Sequence, residues 1–85
     1  MNDTDRAILA AEVGSLIRRA REGAGLSVSR AANILNVSRQ WLARVEGGET
    51  IPNLARLVQI ADAFHVAPGA LIAPPRPEDI EDPEP

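Results

Sequence analysis

Apolar residues near the start of the chain recur with the spacing of one helix face. They are Leu9, Val13, Leu16, Ile17 and Ala20. This spacing predicts a long helix from Thr4, a suitable N-cap, to about Glu22. Gly14 interrupts the stripe, so the segment could instead be two helices. The sequence EGAG at 22–25 predicts the end of this helical region.

Two shorter amphipathic segments follow, separated by a tight turn. Ser27 and Ser38 are their predicted N-caps, and the second segment runs over about 39–46 before the glycine pair at 47–48. Asn36 falls between the segments, and asparagine adopts left-handed backbone geometry more readily than other non-glycine residues. The inward residues are Val28, Ala31, Ala32 and Leu35, then Leu42 and Val45. The pattern predicts a helix-turn-helix unit.

A fourth apolar stripe and a proline-rich end complete the chain. Asn53 is the predicted N-cap of the fourth helix, and Pro68 suits the first position of a last helical turn. The stripe consists of Leu54, Leu57, Val58, Ala61 and Phe64. Residues 73–85 are rich in proline and acidic residues, so we expect a disordered acidic tail. The predicted fold is all-α, a compact bundle of about five helices, with residues 1–13 extending the first helix and 14–72 forming the domain.

Composition argues against several classes of protein. The chain of 85 residues is one small domain and has no cysteine, which excludes disulfides and thiolate zinc sites. No segment approaches the ~20 apolar residues of a membrane span, and the N-terminus MNDTDR lacks the basic region of a signal peptide. A single histidine, His65, and no glycine-rich phosphate loop argue against an enzyme, a metal site or a cofactor. We expect a cytoplasmic protein without a membrane partner.

Charge is segregated along the chain. The net charge is −3, yet residues 14–46 contain six arginines against two glutamates, a local charge of +4. Residues 76–85 contain one arginine against five acidic residues, a local charge of −4. The acidic end therefore masks a basic segment that could bind phosphates. All nine basic residues are arginine, which suits phosphates and guanine edges, although coding bias in a GC-rich genome explains the absence of lysine equally well.

Long polar side chains open the second short helix. Arg39 and Gln40 are its first two residues, and the N-terminal turn of such a helix meets base edges in the DNA major groove. Arginine can bond bidentately to guanine and glutamine to adenine. Arg44 lies five residues later, within reach of the groove wall or a phosphate. The hydroxyls of Ser27, Ser29 and Ser38 lie near helix N-termini, which favour phosphate groups.

Trp41 admits two interpretations. Its ring either contacts sugar or thymine methyl groups at the edge of the groove, with the indole N–H free for a phosphate, or packs over the neighbouring helix. The sequence favours the DNA contact only slightly.

An ordered set of motifs resembles the phage-repressor/Cro-like helix-turn-helix family. It begins with R-x-x-R (Arg18 and Arg21), GLS before the second helix and A-A within it. V-S-R marks the beginning of the second short helix, the recognition helix of this family. E-G-G marks its end, and a proline follows four residues later. The last motif is L…IADAFHV…LI, and the resemblance covers about residues 14–72.

The resemblance implies a DNA-binding domain that represses transcription, usually as a homodimer on a near-palindromic operator. Position by position, it implies base contacts by Arg39, Gln40 and Arg44 and phosphate contacts by Ser27 and Ser38. It also implies a partly buried structural ion pair between Arg21 and Glu46. Candidate dimer contacts are Val66, Leu71, Ile72 and the Ile8–Leu9 side of the first helix.

Three positions depart from the family pattern. The phosphate-binding glutamine that often begins the second helix is replaced by Val28, so Ser29 or Arg30 would have to substitute. Asn36 replaces the turn glycine, which is compatible with the fold. Glu49 replaces a basic residue after the recognition helix and would weaken phosphate binding there.

The sequence leaves two classes of function open. The first is a sequence-specific transcriptional regulator whose partner is double-stranded DNA, associated with the nucleoid when bound. The alternative is an antitoxin-like or phage-encoded subunit that chiefly binds a protein partner, such as a toxin or a phage protein, with DNA binding secondary. The segment SRQWLARVE is similar to some antitoxin regulators, but no toxin-binding segment is identifiable beyond the long first helix and the tail.

Overall fold

Five helical segments make up most of the structure. The structure is a computed structural model and describes residues 1–72 of the chain. The segments are α1 (Asp3–Gly23), α2 (Val28–Leu35), α3 (Arg39–Glu46), α4 (Leu54–Ala63) and a 3-10 helix (Pro68–Leu71). Residues 1–72 contain no strand, and the predicted all-α class is confirmed. The predicted acidic tail, 73–85, lies outside the described residues.

The first helix is continuous through Gly14 and begins earlier than predicted. Asn2, and not Thr4, is its N-cap, because Asn2 Oδ1 accepts a hydrogen bond from the Asp5 backbone N–H at 2.7 Å. Asp3 and Asp5 place negative charge in the first turn, where the helix dipole favours it. Although α1 is the longest helix, neither it nor any other helix within residues 1–72 is long and apolar enough to cross a bilayer.

All four α-helices end in the same hydrogen-bonded motif. The residues with positive φ that follow them are Gly25, Asn36, Gly48 and His65. In each case the next N–H bonds to the carbonyl five residues back, as Val37 N does to Ala32 O at 3.0 Å. The motif satisfies carbonyls that lack partners inside the helix. Asn36, with φ 59° and ψ 46°, therefore makes the sharp turn between α2 and α3.

The core lies where the five helical segments meet. α1 packs against α3 and the 3-10 helix, and α4 packs against α2 and the 3-10 helix. The largest fully buried side chains are Ile17, Leu42, Val45, Ile60 and Leu71. The predicted face of α4 was wrong in part: Leu54 and Val58 are exposed. Ile60 takes their place because a stripe of Leu57, Ile60, Ala61 and Phe64 fits the helical period equally well.

α1 crosses the C-terminal end of α3 at very close range. A Cβ atom on Gly14 would lie 2.8 Å from the Glu46 carbonyl oxygen and would overlap that of Val45. On the other side of the crossing, Gly48 has φ +80°, and a Cβ there would lie 3.0 Å from the Ala11 Cα. Because neither glycine carries a side chain, the last turn of α3 rests directly on the backbone of α1.

Gly14→Ala should destabilise the domain although alanine is the better helix former. The added methyl group meets two backbone carbonyls that cannot move without displacing α3, and overpacking of this kind costs about 1–3 kcal/mol. The free energy of unfolding, measured by urea denaturation, should fall accordingly.

The matched control is Gly23→Ala, because a Cβ at Gly23 meets no atom within 4 Å. That variant should be neutral or stabilised by up to about 1 kcal/mol. Equal stability of the two variants would show that the α1–α3 crossing is not tight.

Candidate nucleic-acid interface

The N-terminal turn of α3 is fixed by its cap and by its buried face. Ser38 Oγ accepts a hydrogen bond from the Trp41 N–H at 2.9 Å, and Leu42 and Val45 are fully buried. These contacts direct the opposite face of the eight-residue helix to solvent. Its exposed polar side chains are Arg39, Gln40 and Arg44.

One side of this turn forms a groove with the start of α2. The groove, of about 330 Å³, is lined by Val28, Ser29, Arg39, Gln40 and Ala43, and we call it the α2–α3 groove. The Arg39 guanidinium Nη1 donates a hydrogen bond to Ser29 Oγ at 3.0 Å. The Gln40 amide makes no hydrogen bond to any residue of the described part of the chain. The structure thus brings together Ser29, Arg39 and Gln40 from two helices.

The other side of the turn forms a larger cleft with the start of α4. The cleft, of about 560 Å³, is lined by Val37, Ser38, Trp41, Ile51, Pro52, Asn53 and Arg56, and we call it the α3–α4 cleft. Trp41 is half-buried and packs against the core while one side of its ring lines this cleft. Its position thus has features of both interpretations that the sequence left open.

Arg56 is a candidate functional residue that sequence reasoning missed. Its guanidinium carbon lies 5.8 Å from the centroid of the Trp41 ring, a cation–π distance. Its Nη1 donates to Leu35 O at 3.1 Å and to Gln59 Oε1 at 3.0 Å. No acidic residue lines the α3–α4 cleft, so the guanidinium leaves a net positive charge beside the N-terminal turn of α3. Only the tertiary fold brings Arg56 to Trp41, and no local sequence signal indicates it.

The predicted phosphate-binding serines have structural roles as well. Ser27 Oγ and Ser38 Oγ accept hydrogen bonds from the Arg30 and Trp41 N–H groups, at 3.1 and 2.9 Å, so both are N-caps. A hydroxyl that accepts in this way still has its own hydrogen to donate. The Arg30 side chain lies apart from the α2–α3 groove and lines a separate recess with Asn33 and Ile34.

The surface that presents these residues is positively charged. Residues 27–45 contain three arginines, Arg30, Arg39 and Arg44, and no acidic residue, and all three are exposed. Within residues 1–72 no group of three or more histidine, aspartate or glutamate side chains is placed to hold a metal ion. The arrangement favours a polyanion over a cation.

A buried ion pair joins α1 to the end of α3. Arg21 Nε and Nη2 donate to the two carboxylate oxygens of Glu46 at 2.7 and 3.0 Å, and only 9% and 7% of these side chains are exposed. Arg21 Nη1 also donates to Leu26 O at 2.8 Å. The hydrogen bond to Glu46 raises the pKa of the Arg21 guanidinium, against the opposing effect of burial. The pair also neutralises Glu46, the only acidic residue of α3.

Comparison with known proteins places this arrangement in a family. Residues 12–74 match the model of the helix-turn-helix domain, which is most of the chain. The chain belongs to the helix-turn-helix domain family. The resemblance inferred from the sequence motifs is thereby confirmed.

Named relatives of this helix-turn-helix chain are regulators of transcription. The HTH-type transcriptional regulator SutR of Escherichia coli is 32% identical over 68 residues, which cover 80% of this chain and 38% of SutR. A solved HTH_3 family transcriptional regulator from Vibrio cholerae matches with a TM-score of 0.71 and 26% identity over 78% of this chain and 37% of that one. This chain thus spans well under half the length of either protein.

Two smaller solved structures share the helix-turn-helix fold. The hypothetical transcription factor NHTF from Neisseria matches with a TM-score of 0.73 and 27% identity, over 79% of this chain and 77% of that one. The restriction-modification controller protein C.AhdI from Aeromonas hydrophila matches with a TM-score of 0.68 and 26% identity, over 73% of this chain and 94% of that one.

Arg21→Met should destabilise the domain strongly, because it leaves the Glu46 carboxylate buried without its partner. Breaking one side of such a pair costs about 3–5 kcal/mol. Thermal or urea unfolding monitored by far-UV circular dichroism measures the loss. The double variant Arg21→Met/Glu46→Leu should recover part of it, because no buried charge is then left unpaired.

Arg18→Met is the matched control. Arg18 pairs with Glu22 at 3.2 Å, but the two side chains are 63% and 54% exposed, and exposed pairs of this kind contribute about 0.3–0.5 kcal/mol. A similar loss of stability in Arg18→Met and Arg21→Met would contradict a special role for the buried pair.

Proposed function

We propose that the protein is a sequence-specific DNA-binding transcriptional regulator that inserts α3 into the major groove of an operator. The observation that carries the proposal is the exposure of Arg39 and Gln40, side by side, at the leading end of a short helix anchored at its other end. The major groove of B-form DNA accepts an α-helix in this orientation. The proposed activity is binding, and it requires no catalytic group.

The proposed base contacts follow from side-chain chemistry. The planar guanidinium of Arg39 can donate two parallel hydrogen bonds to O6 and N7 of guanine, and the Gln40 amide can bond to N6 and N7 of adenine. Arg44 lies on the exposed face at the far end of α3. From there its guanidinium can contact a base at the groove wall or the adjacent phosphate.

Phosphate contacts would orient the helix on the duplex. The free hydroxyl hydrogens of Ser27, Ser29 and Ser38 can each donate to a phosphate oxygen, and Arg30 adds positive charge at the outer face of α2. On the other flank, the α3–α4 cleft offers the Arg56 guanidinium and the Trp41 indole N–H. The two flanks would contact the DNA backbone on both sides of α3.

We further propose that the protein acts as a repressor and binds its operator as a homodimer. One short recognition helix contacts few base pairs, and pairing two copies on a two-fold symmetric site raises both affinity and specificity. Leu71 is fully buried in the core and cannot form the dimer contact that the resemblance implied. Ile8 and Ile72 remain exposed, at 54% and 45%, and are the better candidates. A DNA-bound regulator of this kind would work in the cytoplasm, on the nucleoid.

Selection of bound sites from a random duplex library tests the proposal. The full chain should enrich one short motif, and the motif should be two-fold symmetric if the homodimer forms. Affinity for the selected duplex should exceed that for a scrambled one by about 10³-fold or more, and both affinities should fall steeply as salt rises. Equal affinity for the two duplexes at moderate salt would refute sequence-specific recognition.

Arg39→Ala and Arg44→Ala should have different effects. Arg39→Ala removes a base contact, so discrimination at one position of each half-site should fall by about 1–3 kcal/mol. Arg44→Ala should weaken binding to all sequences alike if its contact is to phosphate, and should lower the dependence of affinity on salt. Fluorescence anisotropy with the selected duplex and its single-base variants distinguishes the two results. Unchanged discrimination in Arg39→Ala would contradict its proposed base contact.

A further inference from the structure

The guanidinium of Arg39 does not extend freely into solvent. Its Nη1 donates to Ser29 Oγ at 3.0 Å, across the α2–α3 groove and from one helix of the unit to the other. We infer that Ser29 is a positioning residue that holds Arg39 in the orientation in which it selects its base. The inference rests on the proposed function and extends it to a residue outside the recognition helix.

The Ser29 hydroxyl is available for this role because the fold does not otherwise use it. Ser29 is the second residue of α2, and the N-cap of that helix is Ser27, whose Oγ accepts from Arg30 N at 3.1 Å. Ser29 is exposed and makes no other side-chain hydrogen bond within residues 1–72. Within residues 1–72, loss of its hydroxyl therefore removes one contact, the one with Arg39.

The contact leaves the base-binding edge of the guanidinium free. Arginine has five N–H donors in one plane, and the bond to Ser29 uses one of those on Nη1. Nη2 and Nε remain to form a bidentate pair with an acceptor edge such as that of guanine. Because Nη1 is held by Ser29, the guanidinium can present its Nη2–Nε edge in few directions. A base whose acceptors lie elsewhere is therefore bound less well.

The energetic effect follows from the flexibility of arginine. Immobilising a side chain with many rotamers on binding costs about 0.5–1.5 kcal/mol, which corresponds to roughly a 2- to 12-fold change in affinity. The bond to Ser29 already restricts the Arg39 side chain in the free protein, so part of this immobilisation cost is removed. The saving applies only to the base whose acceptors match the restricted orientation. Without the hydroxyl, Arg39 can turn to a neighbouring base or a phosphate, and discrimination falls while nonspecific attraction remains.

Gln40 is an internal control for the effect of Ser29 on base discrimination by Arg39. It is the neighbour of Arg39 and lines the same groove, but its amide has no hydrogen-bond partner within residues 1–72. Removing the Ser29 hydroxyl should therefore change base preference at the position that Arg39 contacts and leave the preference of Gln40 unaltered. A general loss of structure would change both.

The test compares Ser29→Ala, Ser29→Thr and Ser15→Ala in the full chain. Ser29→Thr retains a hydroxyl, and Ser15→Ala removes one from an exposed position of α1. Each variant is titrated against the duplex selected by the wild type, against all single-base variants of it and against a scrambled duplex. Arg39→Ala and Gln40→Ala identify which position each side chain contacts, and thermal unfolding reports stability.

Ser29→Ala should lower discrimination at the Arg39 position by about 2- to 12-fold, with no lower melting temperature. Loss of a phosphate contact alone would instead weaken binding to the selected, single-base and scrambled duplexes alike and leave discrimination unchanged. Ser29→Thr and Ser15→Ala should match the wild type. Undiminished discrimination in Ser29→Ala, or equal losses at the Arg39 and Gln40 positions, would overturn the inference while the proposed function stands. A wild type that selects no motif would refute both.

Discussion

The placement of α3 depends on the way its C-terminal end is fixed to α1. Arg21 contacts both carboxylate oxygens of Glu46 and the Leu26 carbonyl, so one guanidinium joins α1, the loop before α2 and the end of α3. Beside it, the absence of a side chain at Gly14 lets the backbones meet. A helix of eight residues is not stable alone in water, so these contacts, together with Leu42 and Val45, determine where α3 points.

Fixing one end of α3 leaves the other end free for recognition. In the last turn the side chains of Val45 and Glu46 are buried, and Glu46, the only acidic residue of the helix, is neutralised there by Arg21. The first turn is capped by Ser38. Its Arg39 and Gln40 line the α2–α3 groove, and the α3–α4 cleft lies on the other side of the turn. The ion pair and the backbone crossing thus fix the C-terminal end of α3, and Arg39 and Gln40 are exposed at its N-terminal end. This division explains how so small a domain can hold a groove-binding surface in a defined orientation.

Most local features of this fold could be predicted from the sequence, although Asn2 and not Thr4 caps α1. Of the contacts between distant residues, the Arg21–Glu46 pair was expected through the family resemblance, and the others were not. Ser27, Ser38 and Asn53 are N-caps, and Asn36 is the turn residue, because each choice depends on a few neighbouring positions. The crossing at Gly14, the approach of Arg56 to Trp41 and the bond from Arg39 to Ser29 each depend on how whole helices pack. The face of α4 was misplaced for the same reason, since its sequence fits two overlapping stripes and only packing decides between them.

A structure of the full chain bound to its selected duplex tests the account most directly. We expect α3 in the major groove, with the side chains of Arg39 and Gln40 within hydrogen-bonding distance of base edges and the Arg21–Glu46 pair intact behind them. An α3 that lies outside the groove, with positions 39 and 40 facing away from the bases, would contradict it.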